Sequence, residues 1–211
     1  MATFNNGILG GFSGKVGTVV GVMQGDKYHM RSLPRKRTKY TAGELTNQAQ
    51  FKMVQDHLQP IKELIKAGYK NYYTKTGGYR AAFAYTRKMA VVTDDAGSYI
   101  DPALFKISGG ELAGAVDATV ALESGNVLSF NWNISGVTQF DGSDQMMVLV
   151  YDAANFTAVT RIFDGAFRNA GEMSLELPDT FQGVEVDIYI GFIAADRSAQ
   201  SDSQYLRRML I

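Results

Sequence analysis

The 211-residue chain contains no cysteine. That absence removes disulfides, thiolate-held zinc and thiol nucleophiles in one step. Histidine is nearly missing as well. His29 and His57 are the only two, far apart in sequence and in no triad-like setting. General acid–base work usually recruits His or a tuned carboxylate, so the chain is expected to be non-enzymatic, with no catalytic residue assigned. Long hydrophobic runs are absent too. The longest nearly apolar stretch, Val16–Met23, is far below the roughly 20 residues a bilayer span needs. Met1–Gly14 lacks the basic start and sustained apolar core of a signal peptide. The expectation is a cytoplasmic location at synthesis, with a later place in a particle or outside the cell left open.

Phosphate and metal motifs fail on their spacing. Ser13-Gly14-Lys15 has Leu9 where a P-loop needs its first Gly, and Val16 where it needs Ser or Thr. No dinucleotide fingerprint and no G-x-S-x-G elbow occurs. Asp94, Asp95 and Asp101 miss the calcium-loop pattern. No cofactor and no metal are expected.

What the chain has is a concealed charge split. Met1–Ala90 carries fifteen basic and four acidic residues, and Val91–Ile211 six basic and seventeen acidic, so +11 and −11 hide inside a net charge of zero. The basic end centres on Lys27–Tyr40 (KYHMRSLPRKRTKY), with six Lys or Arg in fourteen residues. Lys15, Lys27, Arg31, Arg35, Lys36, Arg37 and Lys39 are the candidate partner-binding residues.

In chain order, the Gly-rich segment Gly7–Gly21 leads into a strand over Lys15–Met23, a tight turn with Gly25-Asp26 at its centre, and a return strand over Lys27–Leu33 stopped by Pro34. Gly14, Gly17 and Gly21 imply a close approach of other backbone. Such a ribbon is marginal alone. It either packs on its own domain or adds strands to a neighbour. Thr41-Ala-Gly-Glu44 reads as a capping box, followed by an apolar stripe of Leu45, Ala49, Met53, Leu58, Ile61 and Ile65. Pro60 kinks this helix or starts a second, and Gly68 ends it. His57 beside the stripe reads as a packed histidine.

Tyr69–Ala90 mixes Tyr69, Tyr72, Tyr73, Tyr79, Phe83 and Tyr85 with Lys70, Lys75, Arg80, Arg87 and Lys88, and Tyr79–Val91 reads as helical. Aromatic–cation mixing suits single-stranded nucleic acid, although tyrosines on short helices also simply pack. Val92–Gly110 carries turn chemistry and reads as a boundary. Beyond it, apolar-rich strands fall at Ala118–Glu123, Val127–Ile134, Met146–Asp152, Thr157–Phe163, Met173–Leu177, Val184–Ala194 and Gln204–Leu210. Seven short strands at this spacing predict an antiparallel sandwich resembling a fibronectin type III or immunoglobulin-like domain, with Trp132 as core anchor.

The predicted architecture is therefore α+β: an N-terminal β-hairpin plus helices over 1–92, a linker over 93–110, and an acidic, seven-stranded, antiparallel immunoglobulin-like β-sandwich over 111–211. GKVGTVVG (Gly14–Gly21), RSLPRK (Arg31–Lys36), QAQFKMV (Gln48–Val54), LQPI (Leu58–Ile61), LFKISGGEL (Leu104–Leu112) and the terminal YIGFIAADRSAQSDSQYL together resemble a family of uncharacterised bacterial proteins of about this length, catalogued as a domain of unknown function. The resemblance covers nearly the whole chain. It implies a basic N-terminal module followed by a β-sandwich, and no activity.

Opposite charges at two ends of one chain favour head-to-tail contact between copies. The leading expectation is thus a structural or interaction subunit that self-assembles or joins a particle, as a homo-oligomer or with a protein partner. Nucleic-acid binding through Arg31–Lys39 and the Tyr-rich helices stands second, since the acidic half would repel the same polymer. A third arrangement, in which the two charged halves fold against each other within one molecule, leaves no charge-driven partner.

Overall fold

The computed structural model describes residues 3–4, 10–35, 37–71, 77–95, 97–139 and 141–211. Lys36, Tyr72, Tyr73, Lys75 and the segment 7–9 of the Gly-rich arm lie outside the described residues. The chain divides into two compact units, Met1–Leu45 and Thr46–Ile211. Among the described residues no helix is long and apolar enough to cross a membrane.

The first unit is a four-stranded antiparallel sheet in the order β1-β2-β3-β4. Its strands are β1 (Thr3–Phe4), β2 (Phe12–Val16), β3 (Val19–Gln24) and β4 (Lys27–Ser32). The expected hairpin is β3–β4, closed by Gly25-Asp26 between paired Gln24 and Lys27, but the strand expected over Lys15–Met23 is broken by a turn at Gly17-Thr18 into the end of β2 and β3. Gly25 has φ +60°, which a side chain resists and a two-residue hairpin loop with Gly first requires. Gly21 is needed for space: a Cβ there would collide with the Phe12 ring and its carbonyl oxygen.

Among the described residues the second unit contains a four-stranded, a three-stranded and a two-stranded sheet together with most of the helical residues. A four-stranded antiparallel sheet runs β10 (Thr157–Arg161), β9 (Gln145–Asp152), β12 (Glu185–Ile193) and β13 (Gln204–Leu210). A three-stranded one runs β11 (Glu172–Glu176), β8 (Val127–Asn133) and β7 (Val116–Glu123). Leu128, Phe130 and Trp132 of β8 alternate inward and share one core with Val120, Leu175, Val148, Val150, Ile188 and Ile190. Trp132 anchors it as expected, its Nε1 donating to the Arg168 carbonyl at 2.7 Å. Arg168 is itself buried, paired with Asp144 at 3.1 Å and lying 3.9 Å over the Phe192 ring. The outer face of β8 and β11 is polar, with Asn131, Glu172, Ser174 and Glu176 exposed.

The four-stranded sheet is covered on its other face as well. Met147, Leu149 and Tyr151 of β9 and Tyr189 and Ile193 of β12 form a second core with Leu58, Ile61, Leu64, Ile65, Tyr69, Ala81 and Ala82. Those residues come from α1 (Ala42–Leu58), α2 (Lys62–Gly68), α3 (Gly78–Tyr85) and the turns beside them. Each such aliphatic side chain contributes about 1.5–3 kcal/mol on burial. This explains why β9 (QMMVLVYD) does not alternate, since both of its faces are buried.

Three expectations are corrected here. The linker over 93–110 is no division: 91–100 is a hairpin of β5 (Val91–Asp94) and β6 (Gly97–Ile100), and Phe105 and Ile107 are fully buried in the helix-facing core. The division falls after Leu45 instead, so the helices of the basic half belong with the acidic sheets. The predicted helical stripe is half right. Leu58, Ile61 and Ile65 are buried, Met53 is half-buried, and Leu45 and Ala49 are exposed. Finally, the helix expected over Tyr79–Val91 holds through Ala90, as α-helix to Tyr85 and a wider turn over Thr86–Ala90, and only Val91 departs by opening a strand.

Candidate functional interface

Pairing register sorts the first unit's side chains. Gly14, Gly21 and Met30 are aligned across β2, β3 and β4, as are Lys15, Val20 and Arg31. Because side chains alternate along a strand, one face carries Phe12, Val16, Val19, Met23, Tyr28 and Met30. The other carries Lys15, Val20, Val22, Lys27, His29 and Arg31. The ribbon is amphipathic.

Its apolar face is open. Met30 is 73% exposed and Met23 54%, with Val16 and Tyr28 above 40%. Apart from Gly21, every described residue of the ribbon is half-buried or exposed. A sheet needs an apolar face packed against something to be stable, and a cluster of exposed large apolar side chains marks an interaction surface.

The sequence-predicted cations fall into three groups. Lys15, Lys27 and Arg31 share the cationic face. Arg35 and Lys39 lie past β4 on an exposed connection, and Lys36 lies outside the described residues. Arg37 is turned back to Glu44 at 2.7 Å, with its guanidinium 5.7 Å over the Tyr40 ring. Glu44 closes the predicted capping box. It accepts from the Thr41 backbone N–H at 2.9 Å, and its own N–H donates to Thr41 Oγ1 at 3.3 Å. The Thr41 amide and then Arg37 hold the Glu44 carboxyl below its ordinary range.

Among the described residues, the aromatic side chains of the Tyr-rich segment are turned to packing. Tyr69 is buried with its hydroxyl donating to the Lys106 carbonyl, Tyr79 and Phe83 pack on the helix-facing core, and the Tyr85 hydroxyl donates to Leu104 O. Faces committed to packing are not platforms for stacked bases. His57 is packed as read, edge-on to Phe105 and Tyr151. In the cavity beside it, Asp187 is already satisfied by Tyr205 Oη at 3.0 Å and by Arg208 at 2.8 Å.

Charge follows the same division. Met1–Leu45 carries seven basic and two acidic residues, or +5, and Thr46–Ile211 fourteen and nineteen, or −5. The +11 and −11 poles of the sequence are therefore partly merged within the second unit. Five units of opposite charge remain on each side.

Sequence comparison adds a family. The model of a family of unknown function, DUF6266, matches residues 11–207. The chain belongs to that family. DUF6266 thus spans the ribbon strands β2–β4, the helices and the three sheets of the second unit, ending within β13. A comparison with curated proteins returns no match. The solution structure of the fn3 domain of human collagen alpha-1(XX) chain is similar over 44% of this chain and 79% of that one, at 12% identity and a TM-score of 0.31.

The residues that sequence reasoning passed over are Met23, Tyr28 and Met30, whose shared face appears only once the register is known, and the acidic residues of β11, whose edge position is a property of the sheet order.

Proposed function

We propose that this DUF6266 protein is a non-enzymatic structural or interaction subunit that self-assembles, its N-terminal ribbon being the attachment arm and the second unit of another copy the receiver. The three-on-four arrangement of β7–β13 is read as a seven-stranded immunoglobulin-like sandwich that serves as the body. One observation carries the reading: an amphipathic sheet with cations on one face and the exposed side chains of Met23 and Met30 on the other. Covering that face removes apolar surface from water, and the residual +5 against −5 selects a second copy over a like-charged partner.

Light scattering on the eluting protein tests this. At low salt the expected mass exceeds the 23.1 kDa monomer and rises with concentration. Raising salt to about 1 M, where the Debye length is about 3 Å, shifts the distribution toward monomer. A monomer at every concentration and salt overturns the proposal. A DNA or RNA gel shift at about 50 mM salt without self-association gives the cationic face to nucleic acid instead.

A further inference from the structure

The geometry points to a defined receiver for the arm: β4 of one copy adds as an antiparallel strand to the free edge of β11 on the next. This rests on the self-assembly reading above and names its contact.

Among the described residues both strands have a strand partner on one side only, β3 for β4 and β8 for β11. Their side-chain patterns are mirror images. β4 reads Lys27-Tyr-His-Met-Arg31, and β11 reads Glu172-Met-Ser-Leu-Glu176. Laid antiparallel, Lys27 faces Glu176 and Arg31 faces Glu172. Tyr28 and Met30 meet Leu175 and Met173, and His29 meets Ser174. The faces agree as well. Leu175 is buried and Met173 half-buried toward the core, whereas Glu172, Ser174 and Glu176 are exposed. The apolar face of the ribbon therefore continues the inner face of the three-stranded sheet, and its cations lie over the outer acids. Directly opposed unlike charges and apolar pairs are the units that stabilise a strand pair. A one-residue slip would place Lys27 and Arg31 against apolar neighbours, so the register is specified.

The other edges of the second unit do not fit. β13 presents Arg207 and Arg208, β10 contains Arg161 and no acid, and β7 places Asp117 and Glu123 six apart around a register shift. Among the described edge strands, β11 alone has acids at the four-residue spacing of Lys27 and Arg31.

Charge exchange tests the pairing. K27E/R31E has an acidic donor and an acidic receiver, and E172K/E176K a basic donor and a basic receiver. Each alone is expected to be monomeric where the wild type assembles, and an equimolar mixture is expected to regain the wild-type mass, because each donor then meets its opposite. Rescue on mixing excludes misfolding as the cause of the loss. A mixture that stays monomeric, or either variant assembling alone as the wild type does, overturns the β11 assignment while leaving self-assembly standing. A monomeric wild type overturns both. Because the chain has no cysteine, H29C/S174C gives an independent readout. Oxidation is expected to yield disulfide-linked multimers, and a product that stays monomeric under conditions where the protein assembles overturns the register.

Discussion

Among single residues, His57 carries the clearest consequence for stability. Its ring sits 4.8 Å from Phe105 and 4.7 Å from Tyr151, nearly perpendicular to both, and its buried Nε2 has no hydrogen-bond partner among the described residues. Burial lowers its pKa to about 4, against a smaller upward pull from the Asp187 charge. An unfolded histidine titrates near 6.5. Between these values the unfolded chain binds the proton and the folded one does not, so stability is full above about pH 6.5 and falls as pH drops toward 4. The difference amounts to about 3 kcal/mol, at 1.36 kcal/mol per pKa unit. His57→Phe keeps the ring contacts and removes both the proton and the orphan nitrogen. Urea unfolding of the variant is expected to match or exceed wild type at pH 7.5 and to lack most of the loss between pH 6.5 and 4.5. Equal acid slopes for the two proteins would show that His57 is not the group responsible.

The elements divide into those set by local chemistry and those set by distant partners, and the sequence showed the first kind. Thr41 and Glu44 read as a capping box because both halves of the motif lie within one turn. Thr41→Ala should weaken the start of α1 by about 1 kcal/mol, seen as about fivefold faster amide exchange at Glu44 and Leu45. The urea midpoint should stay put, because the first turns of α1 are exposed and join neither core. A shifted midpoint with unchanged exchange would contradict that. β8 was equally legible, since Leu128, Phe130 and Trp132 alternate against one covered face. The segment 93–110 was not. Its turn residues look like a linker, yet Ile107 N–H donates to Ser203 Oγ and Ser108 Oγ donates to the Ser201 carbonyl, more than ninety residues away. No local pattern encodes that pairing. The apolar stripe misled for a geometric reason: at 3.6 residues per turn Leu58 lies about 140° around the helix from Leu45, and the buried positions of α1 are Val54, His57 and Leu58.

At the scale of the molecule, charge counted along the chain exaggerated the polarity, because helices that carry much of the positive charge share a core with the acidic half. The surviving asymmetry belongs to the ribbon, and its arrangement sets the form of any assembly. In the proposed contact donor and receiver are different surfaces, so the contact is heterologous and gives closed rings, a reciprocal pair being the smallest, or open chains. A full-length variant with a disabled donor then becomes a chain terminator. Met23→Glu with Met30→Glu places charge on the open apolar face and leaves β11 intact, so this chain can receive an arm but not extend one. Titrating it into wild-type protein is expected to shorten the mass distribution in proportion to its share, read by mass photometry, with the variant alone monomeric. If it were excluded from the assemblies, leaving wild-type masses unchanged, donor and receiver would have to lie on one surface. If rings are the native form, the same titration gives a sharper signature, since one terminator opens each ring and the closed species disappears before the mean length falls.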